Sequence, residues 1–190
     1  MAEHLTQKIP MLTSTRVRLR AIERSDISSF VTWLNDPEVT QGLLLYLPMS
    51  RAQEEGWFEN MLKQPAEQHP LAIEVKNPDG WNIIGNCGFH AVDWKNRSSE
   101  VGIFIGEKML WNQGYGQDAM RLLLRHGFNN LNLHRIYLNV LDNNPRAIRA
   151  YEKVGFVHEG RLRQDMYKNG KYYDVLVMSI LRPEWQDSEI

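Results

Sequence analysis

Two glycines, Gly114 and Gly116, stand where an apolar strand gives way to a helix, and this feature restricts the fold more than any other. The strand is predicted over residues 99–105, and the helix begins near Gly114 and continues to about Phe128. The first N–H groups of a helix have no partner within it, and with the helix dipole they attract an anion. Glycine also lets phosphate oxygens approach the backbone closely. The segment therefore predicts a strand–loop–helix unit that binds phosphate.

Several phosphate-containing ligands use such a helix start. A P-loop is disfavoured because the Gly-Lys-Ser/Thr ending is absent. A dinucleotide is a closer rival, since Gly-x-Gly-x-x-Ala from Gly114 fits its fingerprint and Asp142 ends the next strand, where it would meet a ribose hydroxyl. However, the glycines lie about nine residues beyond the strand, and only one crossover follows where that fold expects more. A plain helix start that contains glycine is the remaining interpretation.

Apolar periodicity places further strands and helices along the chain. Their order is β-α-α-β-β-β-α-β-α-β-β, which predicts a mixed α/β domain with a hairpin meander, one βαβ crossover and a terminal hairpin. The predicted strands cover residues 17–21, 71–75, 81–89, 99–105, 135–141, 157–167 and 172–181. Cap and turn residues mark the boundaries. They are Asp26 before the first helix, Ser50 and Gln53 as a capping box, Asn144 with Pro145, Gly155, and the turn Asn169-Gly170.

The composition is that of one ordinary globular domain. Of 190 residues, 43% are hydrophobic and 24% charged, so the chain can bury a core. We expect a single domain over residues 1–190 with loose ends at about 1–12 and 183–190.

Charge and cysteine content exclude several classes of partner and site. A net charge of −1 argues against nucleic acid or an anionic membrane as partner. The lone Cys87 excludes a disulfide framework and a cysteine-built zinc site. Because neither a membrane-spanning run nor a signal-peptide pattern is visible, the expected location is the cytoplasm.

The glycine segment and a later helix together resemble a known family. Residues 111–119 look like the acyl-CoA loop of the GCN5-related N-acetyltransferases (GNAT), and residues 144–156 resemble that family's Asn-x-x-Ala-x-x-x-Tyr-x-Lys-x-Gly-Phe signature. The resemblance covers about residues 12–182 and implies the GNAT fold, an α/β (α+β) architecture. That fold has a mixed central sheet of about seven strands, flanking helices and a splayed parallel strand pair that binds acetyl-CoA. Three more segments resemble the RimJ/RimL and spermidine-acetyltransferase branch: residues 16–20, 33–37 and 167–178.

By this resemblance the chain uses acetyl-CoA, releases CoA and needs no metal. The amides of the glycine loop would hold the pyrophosphate, and the end of the preceding strand would pair with the pantetheine arm. Trp111 departs from the family, which often has Arg or Gln at that position. Asn144 also fits a helix cap and Lys153 a solvated lysine, so both alternatives stay open. The residues implied as cofactor-binding are Phe104, Ile105, Gly106, Trp111, Asn112, Gln113, Gly114, Tyr115, Gly116, Gln117, Asn144, Ala147, Tyr151 and Lys153.

Acetyl transfer from a thioester to an amine requires a proton donor for the departing thiolate. Tyr151 matches the family's general acid. A phenol with a pKa of about 10 stays protonated at pH 7 and can protonate that thiolate. The alternative is that Tyr151 packs in the core, since Ile148 lies three residues away on the same helical face.

The attacking amine must also lose a proton, which requires a base or an ordered water. Glu100 is our candidate base because it lies on the same face of the strand as Phe104, which is expected to line the pantetheine arm. Some family members also use an acidic residue here. The alternative is that Glu100 is an ordinary surface charge, and Asp93 and Glu38 follow as other possible bases. Transfer in this family is direct, in agreement with the lack of a nucleophile motif.

The acceptor site would be built by the loop over residues 43–49, the two early helices and the hairpin over residues 167–173. Trp33, Tyr46 and Tyr167 are the candidate acceptor-binding residues, although aromatic residues at helical spacing also pack in cores. The acceptor would be a primary amine of a protein N-terminus, polyamine, amino sugar or aminoglycoside, and a homodimer is one expected assembly. The alternative function is a catalytically silent CoA-binding module that acts as a sensor or binds a partner protein.

Overall fold

The computed structural model describes residues 12–43, 45 and 47–187, and within them seven strands form one sheet. The strands are β1 (Val17–Ala21), β2 (Leu71–Asn77), β3 (Gly80–Asp93), β4 (Ser98–Ile105), β5 (Arg135–Leu141), β6 (Val157–Lys168) and β7 (Lys171–Leu181). The helices are α1 (Ile27–Leu34), α2 (Pro37–Thr40), α3 (Arg51–Met61), α4 (Tyr115–Arg125) and α5 (Pro145–Val154). This order agrees with the prediction except for α2, which the sequence analysis did not predict.

The sheet order is β1-β2-β3-β4-β5-β7-β6. Every neighbouring pair is antiparallel except β4 and β5. A parallel pair needs a crossover connection, and α4 supplies it. The mixed seven-stranded sheet with flanking helices that the resemblance implies is therefore confirmed.

Local turn chemistry fixes the ends of the terminal hairpin and of α5. Asn169 and Gly170 both have positive φ, 52° and 80°, which suits the tight turn between β6 and β7. The side chain of Asn144 accepts a hydrogen bond from a backbone amide in the first turn of α5 at 3.2 Å. Gly155 then ends α5 with a φ of 110°. These boundaries lie where the sequence predicts them.

The early helices differ from the prediction at two caps. The side chain of Asp26 makes no cap bond to α1, because it accepts hydrogen bonds from the Arg20 guanidinium at 2.7 and 2.9 Å. Asp36 caps the short α2 by accepting a hydrogen bond from the Glu38 amide at 2.9 Å. The sequence analysis missed α2 because Pro37 directly after α1 indicates only where that helix stops.

Ser50 and Gln53 form the predicted capping box at the start of α3. Beyond Arg125, the chain leaves α4 as a π-helical turn over His126–Asn130. Helices α3 and α4 each have 11 residues, and no helix among the described residues is long and apolar enough to cross a bilayer.

The two faces of the sheet bury separate cores. One core lies against α4 and α5 and includes Val101 and Leu138. The other lies against α1 and α3 and includes Phe30 and Phe58, with Phe104 packed at its edge. Strand β4 contributes to both because successive side chains of a strand point to opposite faces. A ligand that reaches β4 can therefore be approached from either side of the sheet.

Residues 183–187, which we expected within a loose end, pack on the domain. The Trp185 ring lies 5.2 Å from the ring of Phe128, and Arg125 forms an ion pair with Asp187 at 2.7 Å. The packed part of the described chain thus extends to residue 187, because an aromatic side chain after β7 covers the end of the core.

Candidate active site

Strands β4 and β5 separate partway along their length. They pair at only three positions, the last of which joins Glu100 to Tyr137. Beyond it, β4 continues to Ile105 and β5 to Leu141 without pairing to each other. Unpaired strand edges of this kind can hydrogen-bond an extended ligand. The splayed parallel pair that the resemblance implies is present, and Glu100 lies where the strands part.

A cavity of about 660 Å³ opens from this gap. One wall is the end of β4 with the loop that follows it, and the other is β5 with α5. Of the predicted cofactor-binding residues, Gly106 and Gln113 are outside its lining. The other predicted cofactor and catalytic residues line it: Glu100, Phe104, Ile105, Trp111, Asn112, Gly114, Tyr115, Gly116, Gln117, Asn144, Ala147, Tyr151 and Lys153.

The glycine loop presents backbone amides to this cavity. Gly114 has a φ of 85°, in the left-handed region, and precedes α4 without a capping side chain. The amides of Gln117 and Asp118 both donate to the Gly114 carbonyl. The amides of Tyr115 and Gly116 come earlier in the first turn, where the helix offers no acceptor. An uncapped helix start that opens on a cavity fits the pyrophosphate of acetyl-CoA.

Arg16, one residue before β1, supports the loop from behind. Its Nε donates to Asp118 at 2.7 Å and its Nη1 to the Gln113 carbonyl at 3.0 Å. The guanidinium also lies over the Tyr115 ring, 4.8 Å from the centroid. Arg121 forms a second ion pair with Asp118 at 3.3 Å, so the carboxylate beside the anion site is neutralised. The sequence analysis missed this role because 102 residues separate Arg16 from Asp118.

Trp111 contacts both walls of the cavity. Its indole Nε1 donates to the Ile105 carbonyl at the end of β4, at 2.8 Å. The Arg146 guanidinium from α5 lies over the same ring, 3.7 Å from the centroid. The departure from the family pattern at Trp111 thus brings an arginine from the opposite wall to the loop.

Tyr151 projects from α5 into the cavity wall. Its ring packs edge-on against Phe156, with 5.8 Å between ring centroids, so the core packing that we considered is real. Burial raises the pKa of Tyr151 to about 12, which keeps the phenol protonated well above neutral pH. No described residue hydrogen-bonds to its hydroxyl, which leaves the proton available to a ligand.

Glu100 belongs to a polar cluster at the point where the strands part. Its carboxylate accepts a hydrogen bond from Asn139 Nδ2, across the gap on β5, at 2.9 Å. His90 is the cross-strand neighbour of Glu100, and its Nε2 lies 2.9 Å from where a Cβ on Gly102 would be. The sequence analysis missed Asn139, although it is the polar residue of an otherwise apolar stretch over residues 136–141 and that contrast was a usable signal.

The two alternative bases lie outside the cavity lining. Asp93 accepts hydrogen bonds from the Asn96 backbone at 2.9 Å and from its side chain at 2.7 Å, and these bonds lower the pKa of Asp93. Glu38 forms an ion pair with Lys108, which also contacts Asp36 at 2.7 Å. Both carboxylates are thus committed to local structure on the protein surface.

Two segments that are distant in sequence meet at the part of the cavity lining where we expected the acceptor, here termed the acceptor end. Lys168, which is buried, joins them because its Nζ donates to the carbonyls of Thr40 and Leu43. The lining residues at this end are Val39, Gly42 and Leu43 from α2 and the loop after it, and Leu162, Asp165 and Met166 from β6.

Two of the three aromatic residues that we predicted to bind the acceptor lie outside the cavity lining. Trp33 packs with Phe104 behind β4, where a Cβ on Gly106 would come within 2.1 Å of the indole. Tyr167 is 60% exposed on the terminal hairpin. Neither lines the cavity, and Tyr46 lies outside the described residues.

Two other residues with functional side chains, Cys87 and Asp142, lie outside the cavity lining. Burial raises the pKa of the Cys87 thiol, which makes it a poor nucleophile. Asp142, the possible ribose partner of a dinucleotide, forms an ion pair with Arg161 at 3.1 Å. In the part of the chain that the structure describes, no group of three or more His, Cys, Asp or Glu side chains is arranged to hold a metal ion.

Comparisons with known proteins agree with this geometry. The profile of the acetyltransferase (GNAT) domain family matches residues 16–157. Uncharacterized N-acetyltransferase p20 of Bacillus licheniformis is 31% identical over 176 residues, which cover 92% of this chain and 97% of that protein. Spermidine N(1)-acetyltransferase of Vibrio cholerae is 30% identical over 173 residues, which cover 90% and 96%. The crystal structure of spermidine N-acetyltransferase from Vibrio cholerae with CoA and spermine has a TM-score of 0.81 at 28% identity, covering 88% of this chain and 96% of that one.

A splayed strand pair beside an uncapped helix start fits the acyl-CoA ligand of an acyltransferase, as the resemblance implies. The family match makes the assignment specific: this chain belongs to the GNAT acetyltransferase family. It is an N-acetyltransferase that uses acetyl-CoA, in keeping with a structural neighbour that contains CoA.

Proposed function

We propose that this enzyme moves the acetyl group of acetyl-CoA directly to a primary amine, with Tyr151 as general acid and Glu100 as base. The observation that carries the proposal is that both groups line the cavity that opens from the gap between β4 and β5. Glu100 lies where the strands part, and Tyr151 lines the same cavity from α5. Along β4, Glu100 alternates with Val101, which belongs to the core against α4 and α5. An amine would therefore approach from the face of the sheet opposite α5.

The proposed roles account for every proton in the reaction. Acetyl-CoA, when bound, supplies an activated thioester. Glu100 takes a proton from the ammonium group, directly or through one water, because an alkyl amine with a pKa of about 10 is charged at neutral pH. As the C–N bond forms and the C–S bond breaks, Tyr151 gives its proton to the departing sulfur. The second proton that the nitrogen loses returns to the Tyr151 oxygen, and Glu100 releases the first to solvent, so both side chains are restored. No side chain becomes acetylated.

The acceptor remains a primary amine of a polyamine, protein N-terminus, amino sugar or aminoglycoside. Asp165 lies beside Leu162 and Met166 at the acceptor end, which gives this surface both acidic and apolar character. Such a surface suits a cationic amine with an aliphatic body. The relative from Vibrio cholerae is a spermidine acetyltransferase, which makes polyamines the first compounds to assay.

Release of the CoA thiol with a panel of these four amine classes tests the proposal. We expect at least one amine to give one acetylated product per thiol, as measured by mass spectrometry. The variants Glu100→Gln and Tyr151→Phe should lose turnover but retain CoA affinity. Full activity of either variant would contradict its assigned role, and CoA binding without turnover of any amine would favour the silent module.

We also infer that the enzyme works in the cytoplasm as a homodimer. A lone free cysteine, Cys87, suits a reducing compartment. Strand β6 is an edge of the sheet, and a second copy would cover large apolar side chains on the terminal hairpin. Sedimentation at twice the 22.2 kDa monomer mass is expected, and monomeric behaviour at all concentrations would contradict the dimer. The exposed apolar side chains outside the cavity lining are Val157, Tyr167 and Tyr172.

A further inference from the structure

Helix α5 presents three cations to the cofactor cavity. Arg146, Arg149 and Lys153 line it at spacings of three and four residues, which places them along one helical face. Within residues 12–43, 45 and 47–187, none of the three forms an ion pair. Most other described arginines have a carboxylate partner: Arg16, Arg18, Arg20, Arg24, Arg51, Arg121, Arg125, Arg135 and Arg161.

Arg146 is held in place by an aromatic ring. Its guanidinium lies 3.7 Å from the centroid of Trp111, well within the range of a cation–π contact. Trp111 is in turn fixed by the hydrogen bond from its Nε1 to the Ile105 carbonyl at 2.8 Å. Loss of hydration lowers the pKa of Arg146, yet an arginine stays charged at neutral pH. A partly dehydrated cation without a carboxylate partner would gain most from a bound anion.

The loop on the opposite wall has no cation over residues 111–117, and Lys108, earlier in the same loop, is already paired with Asp36 and Glu38. Residues 111–117 read Trp-Asn-Gln-Gly-Tyr-Gly-Gln. Arg16 lies behind this loop, but its guanidinium is already bonded to Asp118 and to the Gln113 carbonyl. The loop can therefore offer backbone amides to phosphate, whereas a full positive charge has to come from α5.

We propose that Arg146, positioned by Trp111, binds phosphate oxygens of acetyl-CoA and supplies the positive charge that the loop lacks. The inference rests on the proposed function only through the cofactor and is independent of the acceptor. It explains how Trp111 can replace the Arg or Gln that is frequent in the family: the aromatic ring recruits a cation from the other wall. A phosphate group of the bound cofactor would contact the guanidinium from α5, while the amides at the start of α4 hold the pyrophosphate.

Calorimetric titration of the full chain with CoA, 3′-dephospho-CoA and pantetheine tests this inference. We expect Arg146→Ala to weaken CoA binding roughly tenfold to a hundredfold, since a charged hydrogen bond is lost. Pantetheine affinity should not change, because pantetheine has no phosphate. A loss shared by CoA and 3′-dephospho-CoA would place the contact at the pyrophosphate, and a loss confined to CoA would place it at the 3′-phosphate. Either pattern supports the inference.

Further variants separate charge from stacking. Arg146→Lys keeps the charge but loses the planar stack, so its affinity should be intermediate. Trp111→Leu should weaken CoA binding less than Arg146→Ala does, and the double variant should be no weaker than Arg146→Ala alone. Lys95→Ala, in the exposed turn after β3, removes the same charge far from the cavity and should bind CoA like the wild type.

Three results would overturn the inference. The first is wild-type CoA affinity in Arg146→Ala, and the second is an equal loss in Lys95→Ala. The third is an equal loss of pantetheine affinity in Arg146→Ala, which would indicate a damaged fold. Failure of the wild type to bind CoA would remove the proposed function together with this inference. Normal CoA binding by the wild type with the same affinity in Arg146→Ala would remove this inference alone, so the two failures can be told apart.

Discussion

The cofactor side and the acceptor side of the cavity are built in different ways. On the cofactor side, the free amides after Gly114 and the cap at Asn144 each arise within a few consecutive residues. On the acceptor side, Lys168 holds the Leu43 carbonyl across 125 residues of sequence. The first arrangement suits a ligand that is bound by the backbone, and the second suits a ligand that is recognised by assembled side chains. Substitutions on the two sides should therefore change different kinetic constants.

The largest effect should come from Tyr151→Phe, where the two sides meet. Phenylalanine keeps the ring that packs on Phe156 but has no proton to give. We expect kcat to fall by about a hundredfold to ten-thousandfold with CoA affinity unchanged. Because the pKa of Tyr151 is raised to about 12, the phenol is protonated throughout the assay range. The fall should thus be the same at every pH from about 7 to 10. A fall that appears only at the acidic or alkaline end of a stopped-flow pH series would refute the assignment.

Gly114→Val should affect the cofactor side alone. Valine is strained at a φ of 85°, and a Cβ there would come within 2.9 Å of the Arg16 guanidinium. We expect CoA affinity to fall roughly fivefold to thirtyfold, since about 1–2 kcal/mol of backbone strain acts on the helix start. The amine KM, measured at saturating acetyl-CoA, should stay within about twofold of the wild type. The matched control is Gly56→Ala within α3, where a Cβ meets nothing within 4 Å. Equal CoA affinities of both variants by calorimetry would contradict the role of Gly114.

The same contrast explains what the sequence could predict of the fold. Turn and cap residues such as Gly155, Asn169 and Gly170 act on their own backbone, so the boundaries they set were predicted correctly. Pro37 acts in two ways, since it stops α1 and also suits the first position of α2, and the sequence analysis used only the first. The end at residues 183–187 packs through Trp185, which no local pattern indicates.

Within the site, residues that line the cofactor wall were accessible to motif and resemblance because their spacing along the chain is fixed. The bond between Asn139 and Glu100 depends instead on the register of two parallel strands, and it spans 39 residues. Arg146 lies inside the recognised signature, but its contact with Trp111 crosses the cavity. Such pairs follow from the assembled sheet and helices, so periodicity and spacing cannot reveal them.

Asn139→Ala should slow catalysis and leave cofactor binding intact. Without the amide that donates to Glu100, the carboxylate loses its fixed orientation at the gap. We expect kcat for the amine to fall roughly tenfold, the lower end of what a hydrogen bond to a charged group contributes, while calorimetric CoA affinity is unchanged. Asn139→Gln keeps a donor and should recover part of the loss. Identical rates of the two variants would show that Asn139 does not position Glu100.

Lys168→Met should loosen the acceptor end without touching the chemistry. Methionine fills similar space but cannot donate to the carbonyls of Thr40 and Leu43. The segment over those residues would be free to move, so the amine KM should rise roughly threefold to tenfold, with kcat and CoA affinity nearly constant. Lys171→Met, at an exposed position in the same hairpin, is the control. An equal rise in KM for both variants would show that the effect comes from the lost positive charge and not from the hydrogen bonds of Lys168.

The smallest effect should come from Asp93→Asn, which tests whether any nearby carboxylate can serve as the base. Asp93 already accepts two hydrogen bonds from Asn96, and these lower the pKa of Asp93, so it has little tendency to take a proton from an amine. Because the residue lies outside the cavity lining, kcat/KM should change by less than about twofold. Glu100→Gln under the same conditions should lose most of its turnover. If Asp93→Asn lost as much activity as Glu100→Gln, the base could not be assigned to Glu100 alone. The base would then have to include a residue in the turn after β3, and the division between the two sides of the cavity would no longer hold.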